Sequence, residues 1–488
     1  MSENQPATTR LDRRALGTAG IVFMVLAAVT PIGAVIGVVP IAIGIGNGSG
    51  VVGTYVFVGA VLLLFAIGYA AMSHHITNAG AFYSYVSHGL GRLPGLAAAG
   101  VGLLAYNCIT VAVAVALGFF TRKVVRDNFG IELPWLVWTA FFLIVVAALG
   151  RRGVDVSAKF LGAAVVLEVV VLSALNIAIL VDRGWSAFSL EPFTIAAVFT
   201  GASGVSFMYA FYTFIGFEAS AIFAEEARDA HKTVPRATLI AVVSIAVFYI
   251  FTSWSLISAY EPDEVQAIAA EHPDAFVLDI ATKYLGSIAN GTMQLLLVIS
   301  IFAATLGLHN ATARYFYALG RDRVLPENLA RVHPKFKSPY YASATQIAIS
   351  AVVIIVGAVG GGDPLLQLST SFAGLGTLGI VFLQAATAVS VVAFFRRRAD
   401  RRWFTTLIAP TLGAVGLLAA AGLIVWNYKS LTGTTSSTVN LLPIALPVVA
   451  LAAMLWGLRL KRIHPDRYAS VGGTDLGASE DRQPSYSD

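Results

Sequence analysis

The chain has 488 residues, of which 57% are hydrophobic and 12% charged, against about 25% charged in an ordinary soluble domain. So much apolar surface excludes a water-soluble fold and points to an integral membrane protein with the lipid bilayer as its solvent. The net charge of +5 does not indicate a nucleic-acid partner, because the basic residues fall in connections, and a single cysteine, Cys108, excludes an intrachain disulfide.

Residues 1–14, MSENQPATTRLDRR, read as a polar N-terminal tail. The apolar stretch behind them is too long for a signal peptide, and no small-residue cleavage site closes it. Twelve apolar runs of spanning length follow, near 15–45, 50–72, 95–121, 134–150, 158–182, 199–224, 238–260, 286–317, 340–359, 365–395, 403–426 and 440–460. With the N-terminus in the cytoplasm, alternate connections hold most of the 32 Lys and Arg. The outer connections hold only Arg122, Lys123, Arg126, Arg183, Lys283 and Lys429. Twelve spans with both termini cytoplasmic satisfy the positive-inside rule. The inner segment 74–92, HHITNAGAFYSYVSHGLGR, reads as a short amphipathic helix at the interface, and the acidic outer segment 261–286 as partly helical. From 464 to 488 the composition predicts a disordered cytoplasmic tail.

Two spans carry interruptions. The first contains AAVTPIGAVIG at 27–37, with Pro31, Gly33 and Gly37; the sixth contains FYTFIGFEA, with Gly216 followed by Glu218. Span 1 opens a block of five spans and span 6 opens the next, and two blocks of five must insert with opposite topology. Glycine or proline breaks at matching places in two such halves mark a midplane substrate site. A helix restarting after Gly33 presents free N–H groups, which suit a carboxylate, and one stopping before Gly216 presents free carbonyls, which suit an ammonium group. The residues expected to line this site are Thr30, Pro31, Ile32, Gly33, Ala34 and Gly37 on span 1. On span 6 they are Phe211, Tyr212, Phe214, Ile215, Gly216 and Phe217. Tyr106 and Asn107 of span 3 and Ser369, Thr370 and Phe372 of span 10 supply further walls.

NAGAFYSYVSHGLGR after span 2, FIGFEASAIFAEEARDAHKTVPRA through span 6 and NATARYFYALGRDRVLP leaving span 8 resemble the amino acid–polyamine–organocation (APC) superfamily over roughly residues 15–460. The resemblance implies an all-α integral membrane protein with twelve transmembrane helices and a leucine-transporter-like 5+5 inverted repeat plus two additional helices. Helices 1 and 6 would be discontinuous. Residues 15–182 form repeat one, 199–395 repeat two, and 403–460 spans 11 and 12. It also implies alternating access. Many members carry a GSGIF-type turn in span 1; TPIGAVIG departs from it toward a proline-containing variant seen in putrescine-importer-like and actinobacterial members.

Ionisable residues inside spans are expensive and so point to function. Glu168 in span 5 stands where many relatives place a lysine, which makes it the candidate for proton coupling. Glu218 is expected to link gating to substrate occupancy. His309, beside Asn310 in span 8, is a weaker coupling candidate, and Glu225 and Glu226 mark an inner gate. No acidic residue lies in the span 1 break itself, which favours a neutral amino acid over a diamine unless Glu168 or Glu218 reaches the site. The expected function is uptake of an amino acid across the cytoplasmic membrane with protons as the coupling ion. Its alternatives are uptake of an amine such as putrescine or ethanolamine, amino acid exchange, and a membrane sensor that no longer transports. No cofactor or metal is called for. His74 and His75 are adjacent rather than spaced for one metal, no HExxH occurs, and the triple glycine at 360–362 lacks a phosphate-loop lysine.

Overall fold

A computed structural model describes residues 18–73, 75–76, 81–152, 158–218, 230–336, 338–396, 398 and 400–471. Among these residues there is no strand. With no water to pair with in the bilayer core, backbone must satisfy itself within helices.

Among the described residues ten helical runs are long and apolar enough to cross a membrane. Nine coincide with apolar runs read from the sequence: Arg92–Phe129, Trp135–Arg152, Gly162–Arg183, Lys232–Ser258, Phe276–Arg321, Tyr340–Val359, Pro364–Phe395, Trp403–Trp426 and Leu442–Ile463. The tenth, Pro31–Ser73, joins the second part of the first apolar run to the whole of the next. It is interrupted at Gly46 (φ −99°, ψ −121°) and Gly48 (φ 60°, ψ −131°). The expected run 199–224 yields no helix of spanning length, because its helix stops after 12 residues and 219–229 lie outside the described residues.

In chain order the first elements are α1 (Thr18–Val29), α2 (Pro31–Gly37), α3 (Val39–Ala42), a π turn Ile43–Asn47, α4 (Val51–Ser73), the short α5 (Ala81–Leu90) and α6 (Arg92–Phe129). Next come α7 (Trp135–Arg152), α8 (Ala158–Arg183), α9 (Ile195–Val198), α10 (Ser203–Phe214), α11 (Ala230–Ser258), α12 (Val265–Glu271) and α13 (Phe276–Arg321). The chain continues through α14 (Tyr340–Val359), α15 (Thr370–Phe395), α16 (Ala409–Trp426), α17 (Tyr428–Thr432), α18 (Ser437–Asn440), α19 (Ala445–Ile463) and α20 (Pro465–Ser470). The last shows that the expected disorder does not begin at 464; residues 472–488 of that expected tail lie outside the described residues. Tyr468 of α20 lies under the Arg92 and Lys461 side chains, and Val471 is buried.

The helix α6 is the axis of the molecule: 78% of its most apolar stretch is buried, against 11% for Leu442–Ile463, which lies at the periphery. Small residues let α6 and α15 touch backbone to backbone. A Cβ on Gly376 would lie 2.9 Å from the Ala105 carbonyl oxygen, and one on Gly379 2.8 Å from the Ala105 Cβ. Where hydrocarbon surrounds the helices, close packing of this kind replaces the hydrophobic effect as their glue. At one end α12 lies on the π turn so closely that a Cβ on Gly44 would meet the Ala270 backbone nitrogen at 2.6 Å. The segment 261–286 is thus helical in part, as its composition predicts.

Candidate functional site

The first apolar run breaks at Thr30, which sits in the left-handed region at φ 48°, ψ 70°. The helix resumes at Pro31, not after Gly33 as expected. Proline fixes the dihedral of a first helical turn and lacks the N–H that such a turn leaves unpaired, while it drives the residue before it out of the helical region. A β-branched residue held left-handed costs about 1–2 kcal/mol, a strain that concentrates at functional positions. The first N–H of the new helix belongs to Ile32, and it donates to Glu168 Oε2 at 3.1 Å. Glu168 comes from α8, 136 residues away, and is 1% exposed. The positive end of a helix therefore holds a carboxylate, an arrangement favoured by dipole and hydrogen bond together. That carboxylate is the protein's own, which corrects the picture of a vacant helix end. Ser300 of α13 borders the same place: a Cβ on Gly33 would lie 3.7 Å from its Oγ and 3.4 Å from Ile301.

The second break begins where α10 ends at Phe214. Ile215 is extended (φ −59°, ψ 129°) and Gly216 has φ 116°, a value that glycine alone adopts without strain. The Gly216 N–H donates to Glu218 Oε2 at 2.9 Å, and the Tyr106 hydroxyl donates to Glu218 Oε1 at 3.1 Å. Each break thus carries one carboxylate, lent by a distant helix at Thr30 and supplied locally at Gly216. Phe217 is fully buried, edge-on to Phe65 at 6.1 Å. Phe211 and Phe214 are buried as well, and so are Pro31, Ile32 and Ala34. Thr30, Gly33 and Gly37 on one break and Tyr212, Ile215 and Gly216 on the other keep accessible surface.

Beyond the breaks, the two runs are stitched through Ser206 of α10. Its Oγ accepts from the Asn47 N–H at 3.1 Å and donates to the Ala42 carbonyl at 3.0 Å. Asn107 spends its amide N–H on the Leu103 carbonyl at 2.8 Å, while its buried Oδ1 has no partner among the described residues. The hydroxyls of span 10 are already engaged: Ser369 donates to the Ala112 carbonyl at 2.8 Å, and Thr370 bonds Tyr209 at 2.8 Å. Phe372 is partly buried. His309 sits apart from both breaks, between α13 and α14. Its Nδ1 bonds Gln346 Oε1 and its Nε2 bonds Ser343 Oγ at 2.9 Å, while Gln346 goes on to Ser350 at 2.8 Å. Both ring nitrogens are occupied, which makes it a packing and hydrogen-bonding residue in this conformation. Glu225 and Glu226 lie outside the described residues.

A file of aromatic rings that the sequence reading missed runs on from Glu218. Tyr106 meets Tyr315 at 5.9 Å, Tyr315 meets Tyr83 edge-on at 5.9 Å, and the Tyr83 hydroxyl donates to buried Asp322 at 2.7 Å. The residues belong to α6, α13 and α5. Their segments stood out in the sequence, but tyrosines in three separate segments give no sign of meeting. Among the described residues no cluster of His, Cys, Asp and Glu is arranged to hold a metal ion.

These features define a multi-pass helical membrane protein with a buried acidic side chain at each of two helix interruptions. A family profile described as amino acid permease matches residues 16–451, and the chain belongs to that family, within the APC superfamily of transporters. It is 25% identical over 412 residues to the methylthioribose transporter of Bacillus subtilis, covering 80% of this chain and 82% of that one. It is 25% identical over 352 residues to the low-affinity putrescine importer PlaP of Escherichia coli, covering 70% and 74%. To the branched-chain amino acid permease BcaP of Bacillus subtilis it is 24% identical over 372 residues, covering 72% and 75%. Family and relatives are permeases and transporters rather than enzymes.

Proposed function

We propose that this chain is a secondary transporter that imports an amino acid across the cytoplasmic membrane by alternating access, with protons as the coupling ion. In this reading it has twelve spans, two inverted repeats of five and both termini in the cytoplasm. Spans 1 and 6 are the discontinuous pair, and the accessible faces of Thr30, Gly33, Gly37, Tyr212, Ile215 and Gly216 receive the substrate. The observation that carries the reading is the Ile32 N–H bonded to Glu168. A substrate carboxylate and the Glu168 carboxylate compete for one helix end, and two anions there repel each other. A proton on Glu168 removes one of the charges, so proton and amino acid bind together better than either binds alone. Reciprocity then makes the substrate hold the proton more tightly by the same factor.

The second reading is an amine without a carboxylate, such as a diamine. It is favoured by the presence of a carboxylate at each break, which suits a cation at both ends. One experiment tests both, in proteoliposomes with a defined pH gradient. For an amino acid, KM falls as external pH falls in the wild type, and Glu168→Gln gives a KM that no longer changes with pH. A variant that kept the full pH dependence would remove Glu168 from the coupling role. Uptake of labelled putrescine and of labelled neutral amino acids, measured side by side, separates the substrates: uptake of putrescine but of no neutral amino acid decides for the second reading.

A further inference from the structure

We propose that a groove between the end of α5 and the last turns of α15 is a binding site for an anionic phospholipid of the inner leaflet. A cavity of about 420 Å³ opens there, lined by Gly89, Val389, Val392, Ala393 and Arg396. Its wall is aliphatic and its mouth is cationic, which is the chemistry of an acyl chain beneath a headgroup phosphate. The glycine creates the close approach: a Cβ on Gly89 would stand 2.4 Å from the Ser390 carbonyl oxygen, so any larger residue would push α5 off α15.

Arg396 gives the mouth a positive charge. In the connection that follows it, Asp400 is already held by Arg398 Nε at 3.2 Å and His75 Nε2 at 3.0 Å. Arg396 is exposed and has no ion-pair partner among the described residues. Arg401 lies over the Trp403 ring at 4.4 Å, and Trp403 is 67% exposed, the disposition of an aromatic anchor at headgroup depth. A run of arginines alone would serve only to set topology. The cavity beneath Arg396 is what the positive-inside rule leaves unexplained. A lipid seated there would touch both α5, which carries Tyr83, and α15, and would brace the inner end of the aromatic file. That this end faces the inner leaflet rests on the topology proposed above.

The test uses native mass spectrometry of the full-length protein, stripped of lipid in detergent and titrated with phosphatidylglycerol or phosphatidylcholine. The expected result is tighter retention of phosphatidylglycerol, reduced about fivefold by Arg396→Gln, since one basic residue is worth about that factor at an anionic surface. Ala393→Trp fills the groove and removes the preference while leaving every charge in place. Equal retention of the two lipids, or a preference that neither variant alters, overturns the site. Displacement of the lipid by millimolar glycerol 3-phosphate overturns it in favour of a free-anion site. Retention is read by mass and does not depend on flux, so a failure of the transport reading leaves this result standing, and the reverse also holds.

Discussion

At the scale of single residues, the molecule turns on how two buried carboxylates are satisfied. Glu218 accepts one N–H and one phenol; removing either leaves a buried acceptor short of a partner. Tyr106→Phe is expected to lower stability by about 1–3 kcal/mol, measured as a fall in the thermal midpoint of the purified protein, with no loss of packing volume to confuse the reading. The Thr30 break was partly legible. Proline at a restart is visible in TPIGAVIG, but the glycine's flexibility points to a restart after Gly33, when the proline's own preference for a first turn puts it three residues earlier, at Pro31. The partner of Ile32 was not legible at all. Nothing in a one-dimensional pattern tells which distant carboxylate a helix end will meet.

At the scale of elements, apolar length was a strong signal, and most of the spanning helices stand where their runs predicted. The two exceptions, the first run and 199–224, are broken within the apolar run itself, whereas the non-helical Gly286 of α13 (φ 85°, ψ 177°) lies at the very start of its run. Helix contacts were less legible, because a glycine shows its purpose only once its neighbour is known. Gly150 of α7 is the clearest case: a Cβ there would stand 2.5 Å from His309 Nε2 and 3.2 Å from Ser343 Oγ. Gly150→Ala must therefore break the His309–Ser343 bond or push α7 away from α13. The expected cost is about 1–3 kcal/mol, read as a lower thermal midpoint. His309→Ala in the same background should recover part of the loss, since it removes the atom that is struck.

At the scale of the whole molecule, topology follows from charge, and it can be tested because the chain has one cysteine, Cys108, which is buried. In a Cys108→Ser background, Lys283→Cys is expected to react with a membrane-impermeant maleimide added outside intact cells. Arg462→Cys is expected to react only after the membrane is opened. Labelling of both from outside would overturn the twelve-span arrangement. The charge asymmetry that predicts this was readable from sequence alone, as was the family. The position of the acidic groups relative to the breaks, on which the choice of substrate depends, came only with three dimensions.

The unequal origin of the two carboxylates also bears on biogenesis. Gly216 meets its acceptor two residues later, so that break is satisfied as soon as its own segment enters the bilayer. Ile32 must wait for a side chain 136 residues downstream, roughly ten seconds of synthesis at about 5–20 residues per second. Until α8 arrives, the N-terminal break sits in the membrane with a helix end uncapped. When α8 does arrive, its acidic group has a donor already in place, which eases an insertion that costs about 2.5–3.5 kcal/mol for a charged side chain at the bilayer centre. The order of synthesis thus makes the first break a receptor for α8 first, and, under the proposed function, for a solute only afterwards.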